Sequence, residues 1–127
     1  MATTLAFDVY GTLINTHGVL SLLEDMIGDT AQKFSNTWRE KQLEYSFRRG
    51  LMQNYIPFSL CTKHALDYAC LAHKTQLSDD QKQQLLEQYK ILPAFDDVKK
   101  GFEQFKAQNY RLFAFSNGAA DAVNTLL

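Results

Sequence analysis

Two short stretches of the chain combine residue types that could do chemistry on a bound anion. In "FDVYGTL", Asp8 closes an apolar run and a turn containing Gly11 follows at once. In "FSNG", Ser116 and Asn117 close a second apolar run. A carboxylate can act as the nucleophile in covalent catalysis, and a hydroxyl and an amide can donate hydrogen bonds. Many enzymes with an aspartate nucleophile place a second aspartate two residues later, where this chain has Tyr10.

The elements that would position these residues have the pattern of strands. Residues 3–9 and 110–116 are short apolar runs bounded by glycine-containing turns, which predicts strands buried on both faces, as in parallel sheets. Ligands bind at the carboxyl ends of such strands, so neighbouring strands would bring Asp8, Ser116 and Asn117 to one crevice. The turn after the first strand could also present backbone N–H groups to an anion, namely those of Val9, Tyr10 and Gly11. Taken singly, each motif is more often a plain turn.

Between the strands the pattern is helical almost throughout. The sequence predicts helices over about 19–26, 30–48, 59–73, 79–90 and 96–108, with another beginning near the C-terminus. Asp29 and Thr30 offer N-caps for the second helix, and Gly50 offers its stop. Ser78 and Gln81 have the spacing of a capping box.

This order of elements predicts an α/β fold in which a parallel sheet carries a helical insertion. We expect a Rossmann-like core from residues 1–13 and 94–127, and a helical cap from residues 14–93. Two strands rarely make a stable parallel sheet, and the last helix begins without reaching a cap. We therefore expect the chain to be the front part of a longer protein.

The composition excludes several classes of function. The 127 residues carry a formal net charge of -1 and a pI near 6.3, which gives no footprint for nucleic acid or an anionic membrane. No apolar run approaches the roughly 20 residues of a membrane helix, and the N-terminus lacks a secretory pattern, so we expect a cytoplasmic protein. Cys61 and Cys70 lack metal-ligand spacing and are expected to be reduced thiols in or near a core.

Together and in this order, the two motifs resemble the haloacid dehalogenase superfamily. "DVYGTL" matches its Asp-x-x-x-Thr signature, "FSNG" matches its second motif, and the insertion lies where the superfamily carries a cap. Most members are magnesium-dependent phosphotransferases whose second aspartate protonates the leaving oxygen. A halide leaves carbon without a proton, and a haloacid brings no phosphate charge for magnesium, so Tyr10 is compatible with dehalogenation. The cap segment "WREKQLEYSFRRGLMQNY" (38–55), followed by Phe58, resembles the L-2-haloacid dehalogenases specifically.

The resemblance implies hydrolysis of L-2-haloacids to 2-hydroxy acids through an aspartyl ester, without a metal or other cofactor. Its implied catalytic residues are the nucleophile Asp8, Thr12 to orient it, Arg39 toward the leaving halide, and Asn117. Its implied substrate-binding residues are Val9, Tyr10, Leu43, Phe58 and Ser116. Within these, Tyr10, Leu43 and Phe58 would wall the carbon–halogen bond. The backbone N–H groups of Val9 and Tyr10, with Ser116 and Asn117, would hold the substrate carboxylate. Without the resemblance, Arg39 would be interpreted as a surface partner of Glu40 or Glu44.

Three functions remain open at this stage. The first is the dehalogenase, acting on a small 2-haloalkanoate, for which the resemblance allows a homodimer. Because the family's supporting lysine and water-positioning cluster come after the second strand motif, we expect these 127 residues alone to turn over poorly. The second is a magnesium-dependent phosphatase of the same superfamily. The third is a non-catalytic fragment whose open sheet edges invite a partner.

Overall fold

A computed structural model describes residues 3–127, in which eight helices and strands follow the predicted order. They are β1 (Thr4–Asp8), α1 (Leu20–Ile27), α2 (Ala31–Leu51), α3 (Phe58–Ala72), α4 (Asp79–Tyr89), α5 (Val98–Ala107), β2 (Arg111–Phe115) and α6 (Ala120–Leu126). Short 3-10 turns at residues 16–19 and 28–30 flank α1. In the part of the chain that the structure describes, no helix combines the length and apolar character needed to cross a membrane.

The strands β1 and β2 pair in parallel, which confirms the predicted α/β arrangement. The register sets Thr4 opposite Arg111 and Asp8 opposite Phe115, so the carboxyl ends of both strands lie at one edge. The side of the sheet that carries Phe7 is covered by α5. The Phe7 ring lies 5.3 Å from the Phe102 ring and 6.0 Å from the Phe105 ring, measured between centroids. The side of α5 that carries Phe102 and Phe105 therefore packs against one face of the sheet.

The prediction that both strands are buried on both faces is wrong for this chain. Phe113 and Phe115 are 56% and 79% exposed, and Thr4 and Ala6 are exposed as well. The reason is that α5 packs against only one face of the strand pair among the described residues. The apolar runs therefore predict the strands correctly but overstate what covers them.

The main core lies among the helices between the strands. Leu23 of α1, Phe34 of α2, Leu66 of α3 and Leu85 of α4 are fully buried and belong to one apolar cluster. Val9, in the turn after β1, belongs to the same cluster. The helical bundle and the end of β1 are thus packed as one body, which gives the turn after Asp8 a rigid support.

Helix ends follow the sequence where a side chain caps them. Ser78 and Gln81 form the predicted capping box at the start of α4, with both hydrogen bonds present. Thr30 occupies the predicted N-cap position of α2, but its hydroxyl donates to the Ile27 carbonyl and makes no capping hydrogen bond to the helix. Gly50 does not stop α2, which continues to Leu51, since an exposed glycine is tolerated in the last helical turn.

Candidate active site

Asp8 ends β1 and is held by the turn that follows it. The Thr12 hydroxyl donates to Oδ2 of Asp8 at 2.8 Å, the contact expected of a residue that orients the carboxylate. The Val9 carbonyl accepts from the N–H groups of Thr12, Leu13 and Ile14, at 2.9 to 3.2 Å, which closes the turn tightly. Gly11 adopts φ 87°, a conformation that costs side-chain-bearing residues energy. The Asp8 side chain is thus placed by a rigid backbone.

One expected anion donor is already in use. The Gly11 N–H donates to the Ile14 carbonyl at 2.8 Å, so the expectation that it turns toward a bound anion is wrong. The Ile14 carbonyl can accept the Gly11 N–H because the turn reverses the chain within four residues. Val9 itself is fully buried, so only its backbone could face a ligand.

The residues after β2 come to the same edge of the sheet. Asp8 and Phe115 are the last residues of their strands and lie opposite each other. Ser116 comes directly after Phe115 and is therefore close to the carboxyl end of β1. The Ser116 hydroxyl oxygen accepts the Gly118 N–H at 3.0 Å, and the Asn117 side-chain amide donates to the Ser46 hydroxyl of α2 at 3.4 Å. Asn117 therefore links the sheet to the helix that carries Arg39.

Arg39 lies against the turn that follows Asp8. Its Nη2 donates to the Tyr10 carbonyl at 3.0 Å, and its Nη1 donates to Oε1 of Gln42 at 2.7 Å. The side chain is half-buried. The interpretation of Arg39 as a surface partner of Glu44 does not hold, because Glu44 pairs with Lys41 and Arg48, and no ion pair involves Arg39 among residues 3–127. A half-buried cation without a protein carboxylate is suited to receive an anion.

Two of the three expected wall residues meet. The Tyr10 and Phe58 rings have centroids 5.4 Å apart, and Tyr10 also stacks on Tyr89 at 6.1 Å. These rings line one side of a largely apolar cleft of about 510 Å³ between α3, α4 and the start of α6. Burial raises the pKa of Tyr10, so its phenol stays neutral and cannot replace an acidic aspartate at this position. Leu43 is half-buried one turn after Arg39 and does not line this cleft.

Sequence reasoning missed the side chains that hold Arg39. Gln42 is 1% exposed and accepts from Arg39 and, at 2.8 Å, from the Tyr89 hydroxyl. The Gln42 amide nitrogen donates to Thr62 at 2.7 Å, while the Trp38 indole donates to the Thr62 carbonyl at 2.9 Å. The three-residue spacing of Arg39 and Gln42 on a helix could have indicated their contact, but no sequence signal connects them to Tyr89.

Two histidines and both cysteines have ordinary structural roles. His17 hydrogen-bonds to Ser35, and His73 to Thr37, each at 2.7 Å. Within residues 3–127, no three His, Cys, Asp or Glu side chains are grouped as a metal site requires. Cys61 and Cys70 are buried free thiols, as predicted.

An aspartate at the end of a parallel strand, with a helical insertion that brings an arginine against the following turn, is typical of one class of hydrolases. The sequence model of the haloacid dehalogenase-like hydrolases matches residues 2–127, and the chain belongs to this family. It is 33% identical to the haloacetate dehalogenase H-2 of Moraxella sp. (strain B) over 97% of this chain and 55% of that relative. It is 34% identical to the (S)-2-haloacid dehalogenase 4A of Burkholderia cepacia over 95% of this chain and 52% of that relative.

A solved structure agrees with the fold of the whole chain. It is the L-2-haloacid dehalogenase of Xanthobacter autotrophicus with chloropropionic acid covalently bound, which is 27% identical with a TM-score of 0.87. The alignment covers 99% of this chain and 51% of that one, and it confirms the predicted Rossmann-like α/β core with a helical cap. The chain spans about half the length of the relatives it matches.

Proposed function

We propose that this chain carries the nucleophile and halide-binding parts of a metal-independent dehalogenase that converts L-2-haloacids to 2-hydroxy acids. The carrying observation is the arrangement around Asp8. Thr12 orients its carboxylate at 2.8 Å, the half-buried Arg39 contacts the turn that follows it, and Tyr10 stands in place of a second acid. A phenol whose pKa is raised by burial is a poor acid for protonating an oxygen leaving group. A leaving halide needs no proton. The names of the relatives support the same substrate class.

The reaction balances with water as its only co-reactant. The free oxygen of Asp8 attacks the halogen-bearing carbon from behind, forming a C–O bond as the halide leaves with the electrons of the C–X bond. Water then attacks the carboxyl carbon of this ester, which releases the 2-hydroxy acid and one proton and restores the Asp8 carboxylate. The covalent chloropropionic acid in the Xanthobacter autotrophicus relative supports a covalent step.

Different groups around Asp8 would bind different parts of the substrate. Arg39 would attract the halide as its negative charge develops, a form of electrostatic stabilisation. Tyr10 and Phe58 would exclude water from the attacking carboxylate and so strengthen it as a nucleophile. The substrate carboxylate would be held by two backbone N–H groups and two side chains, those of Val9, Tyr10, Ser116 and Asn117.

The test is halide release from L-2-chloropropanoate in the presence of EDTA. We expect release by the 127-residue chain to be slow, and a chain extended to the length of its relatives to be faster. The Asp8→Asn variant should abolish release in both. Single turnover in oxygen-18 water should place the label in the Asp8 carboxylate, because water attacks the ester at that carbon.

Two outcomes would contradict the proposal. Label found only in the hydroxy acid would show that water attacks the substrate directly and would exclude the aspartyl ester. Absence of halide release from the extended chain, together with magnesium-dependent cleavage of a phosphate monoester, would favour the phosphatase alternative. The D-enantiomer of the substrate is the matched control for stereospecificity.

A further inference from the structure

Gln42 joins the guanidinium of Arg39 to Thr62 in the interior of the helical bundle. It is 1% exposed, and all three of its side-chain contacts are short, at 2.7 Å to Arg39, 2.8 Å to Tyr89 and 2.7 Å to Thr62. A buried amide whose oxygen and nitrogen are both hydrogen-bonded is rigid and costly to disturb. Its position predicts that whatever Arg39 does depends on Gln42.

The hydrogen-bond chain has only one consistent direction. Arg39 has donors and no acceptor, so the amide oxygen of Gln42 must face it. That oxygen also accepts from the Tyr89 hydroxyl, which burial keeps protonated by raising its pKa. The amide nitrogen then donates to the Thr62 hydroxyl, and Thr62 donates its own proton to the Phe58 carbonyl at 3.0 Å. The chain ends at the backbone of the wall residue Phe58.

An amide at position 42 serves this arrangement in a way that a carboxylate could not. Gln42 fixes the guanidinium of Arg39 without neutralising its charge, whereas a carboxylate would form a buried ion pair with it. A carboxylate would also lack the N–H that Thr62 accepts. The full positive charge of Arg39 thus remains available for an anion in the site.

We propose that Gln42, supported by Tyr89, is the positioning residue that holds Arg39 charged and correctly aimed for the leaving halide. The inference rests on the proposed function, since it assigns a role to the halide-binding arginine. Gln42 does not touch the substrate. It acts through Arg39 and keeps this cation next to the turn that carries Asp8.

Chloride binding tests the proposal without requiring turnover. The line width of the chloride-35 NMR signal reports chloride bound to the protein. We expect broadening by the unaltered chain. We expect chloride affinity to fall about tenfold or more in Gln42→Glu, as befits the loss of a favourable charged interaction. Tyr89→Phe keeps the ring stacking and should lower the affinity by a few-fold. Gln84→Glu makes the same charge change on the exposed side of α4 and should leave it unchanged.

The pH dependence separates positioning from a merely structural role. Protonation of the carboxylate introduced by Gln42→Glu makes it neutral and nearly isosteric with the amide, so chloride binding should recover as the pH falls. The unaltered chain and Gln84→Glu should show no such recovery. A variant that had only lost packing would not regain binding in acid.

The outcomes distinguish the inference from the function on which it rests. If the unaltered chain does not bind chloride, the halide role of Arg39 fails, and this inference falls with it. If the unaltered chain binds chloride and both Gln42→Glu and Tyr89→Phe bind it equally well, the positioning role alone is overturned. If Gln42→Glu does not fold by circular dichroism, Tyr89→Phe decides, and chloride affinity equal to that of the unaltered chain overturns the proposal.

Discussion

Gly118 lies where the turn after β2 approaches the wall of the candidate site, and its replacement by alanine should disturb both. A Cβ added at Gly118 would lie 2.9 Å from Cε2 and 3.2 Å from the hydroxyl of Tyr10, and 3.1 Å from Cγ2 of Val123. Two carbons pack best at roughly 3.5 Å or more, so the closest contact is about 0.6 Å too short. Neither neighbour can move freely, because Tyr10 packs between Phe58 and Tyr89, and Val123 is buried.

The expected loss in the free energy of unfolding follows from this geometry. Adding a methyl group to a packed contact costs about 1–3 kcal/mol, and a contact fixed on two sides belongs in the middle of that range. We expect Gly118→Ala to lower the free energy of unfolding by about 2 kcal/mol, which lowers the thermal midpoint of a chain of this size by roughly 8 °C. The displaced Tyr10 ring should also weaken binding of L-2-chloropropanoate.

Gly101→Ala is the matched control. Gly101 lies inside α5, and a Cβ there meets nothing within 4 Å. Alanine should therefore stabilise the helix by about 0.5–1 kcal/mol, through its better helix propensity. Thermal unfolding followed by circular dichroism measures both variants. Equal stability of the two alanine variants would refute the packing argument, because it would show that the Gly118 contact relaxes without cost.

Three further predictions concern the helices of the cap. Ser78→Ala removes the capping box of α4 and should cost about 1 kcal/mol, seen as a lower thermal midpoint. The hydrogen bond from Lys41 lowers the pKa of Glu44, so this carboxylate stabilises the fold above the ordinary glutamate pKa of 4.5 and loses that contribution as the pH falls below it. Urea unfolding at neutral and acid pH should show a smaller acid loss in Glu44→Gln. Burial raises the pKa of Cys61 and of Cys70, so thiol reagents should label both only after unfolding.

Local sequence signals predicted the elements that depend on neighbouring residues. The strand that ends at Asp8, the capping box at Ser78 and the buried helix face with Phe34 and Trp38 all follow from patterns within a few positions. The motif spacing and its resemblance to a family placed Asp8 and Thr12 correctly beside each other. Exposure of the sheet could not be predicted in this way, because apolar runs do not reveal how many layers cover them.

The residues that hold Arg39 show why the rest of the site escaped prediction. Gln42 and Tyr89 are 47 positions apart and meet only because α2 and α4 pack in the same bundle. Each is an ordinary helical residue in the sequence, and their hydrogen bond matters because Gln42 is buried. A hydrogen-bond network between helices therefore cannot be predicted from the sequence, even where one of its members belongs to a recognisable motif.

The protein holds Asp8 and Arg39 more firmly than it holds Asn117. The turn after Asp8 is bound to the segment that returns from the helices, since the Asn15 N–H donates to the Pro93 carbonyl at 2.9 Å and the Phe95 N–H to the Leu13 carbonyl at 3.0 Å. Arg39 is fixed by the buried amide of Gln42, so Asp8 and Arg39 are each held by contacts within the protein. Asn117, by contrast, is exposed and makes only a long contact to the helices. Halide binding should therefore survive in this chain better than recognition of the substrate carboxylate.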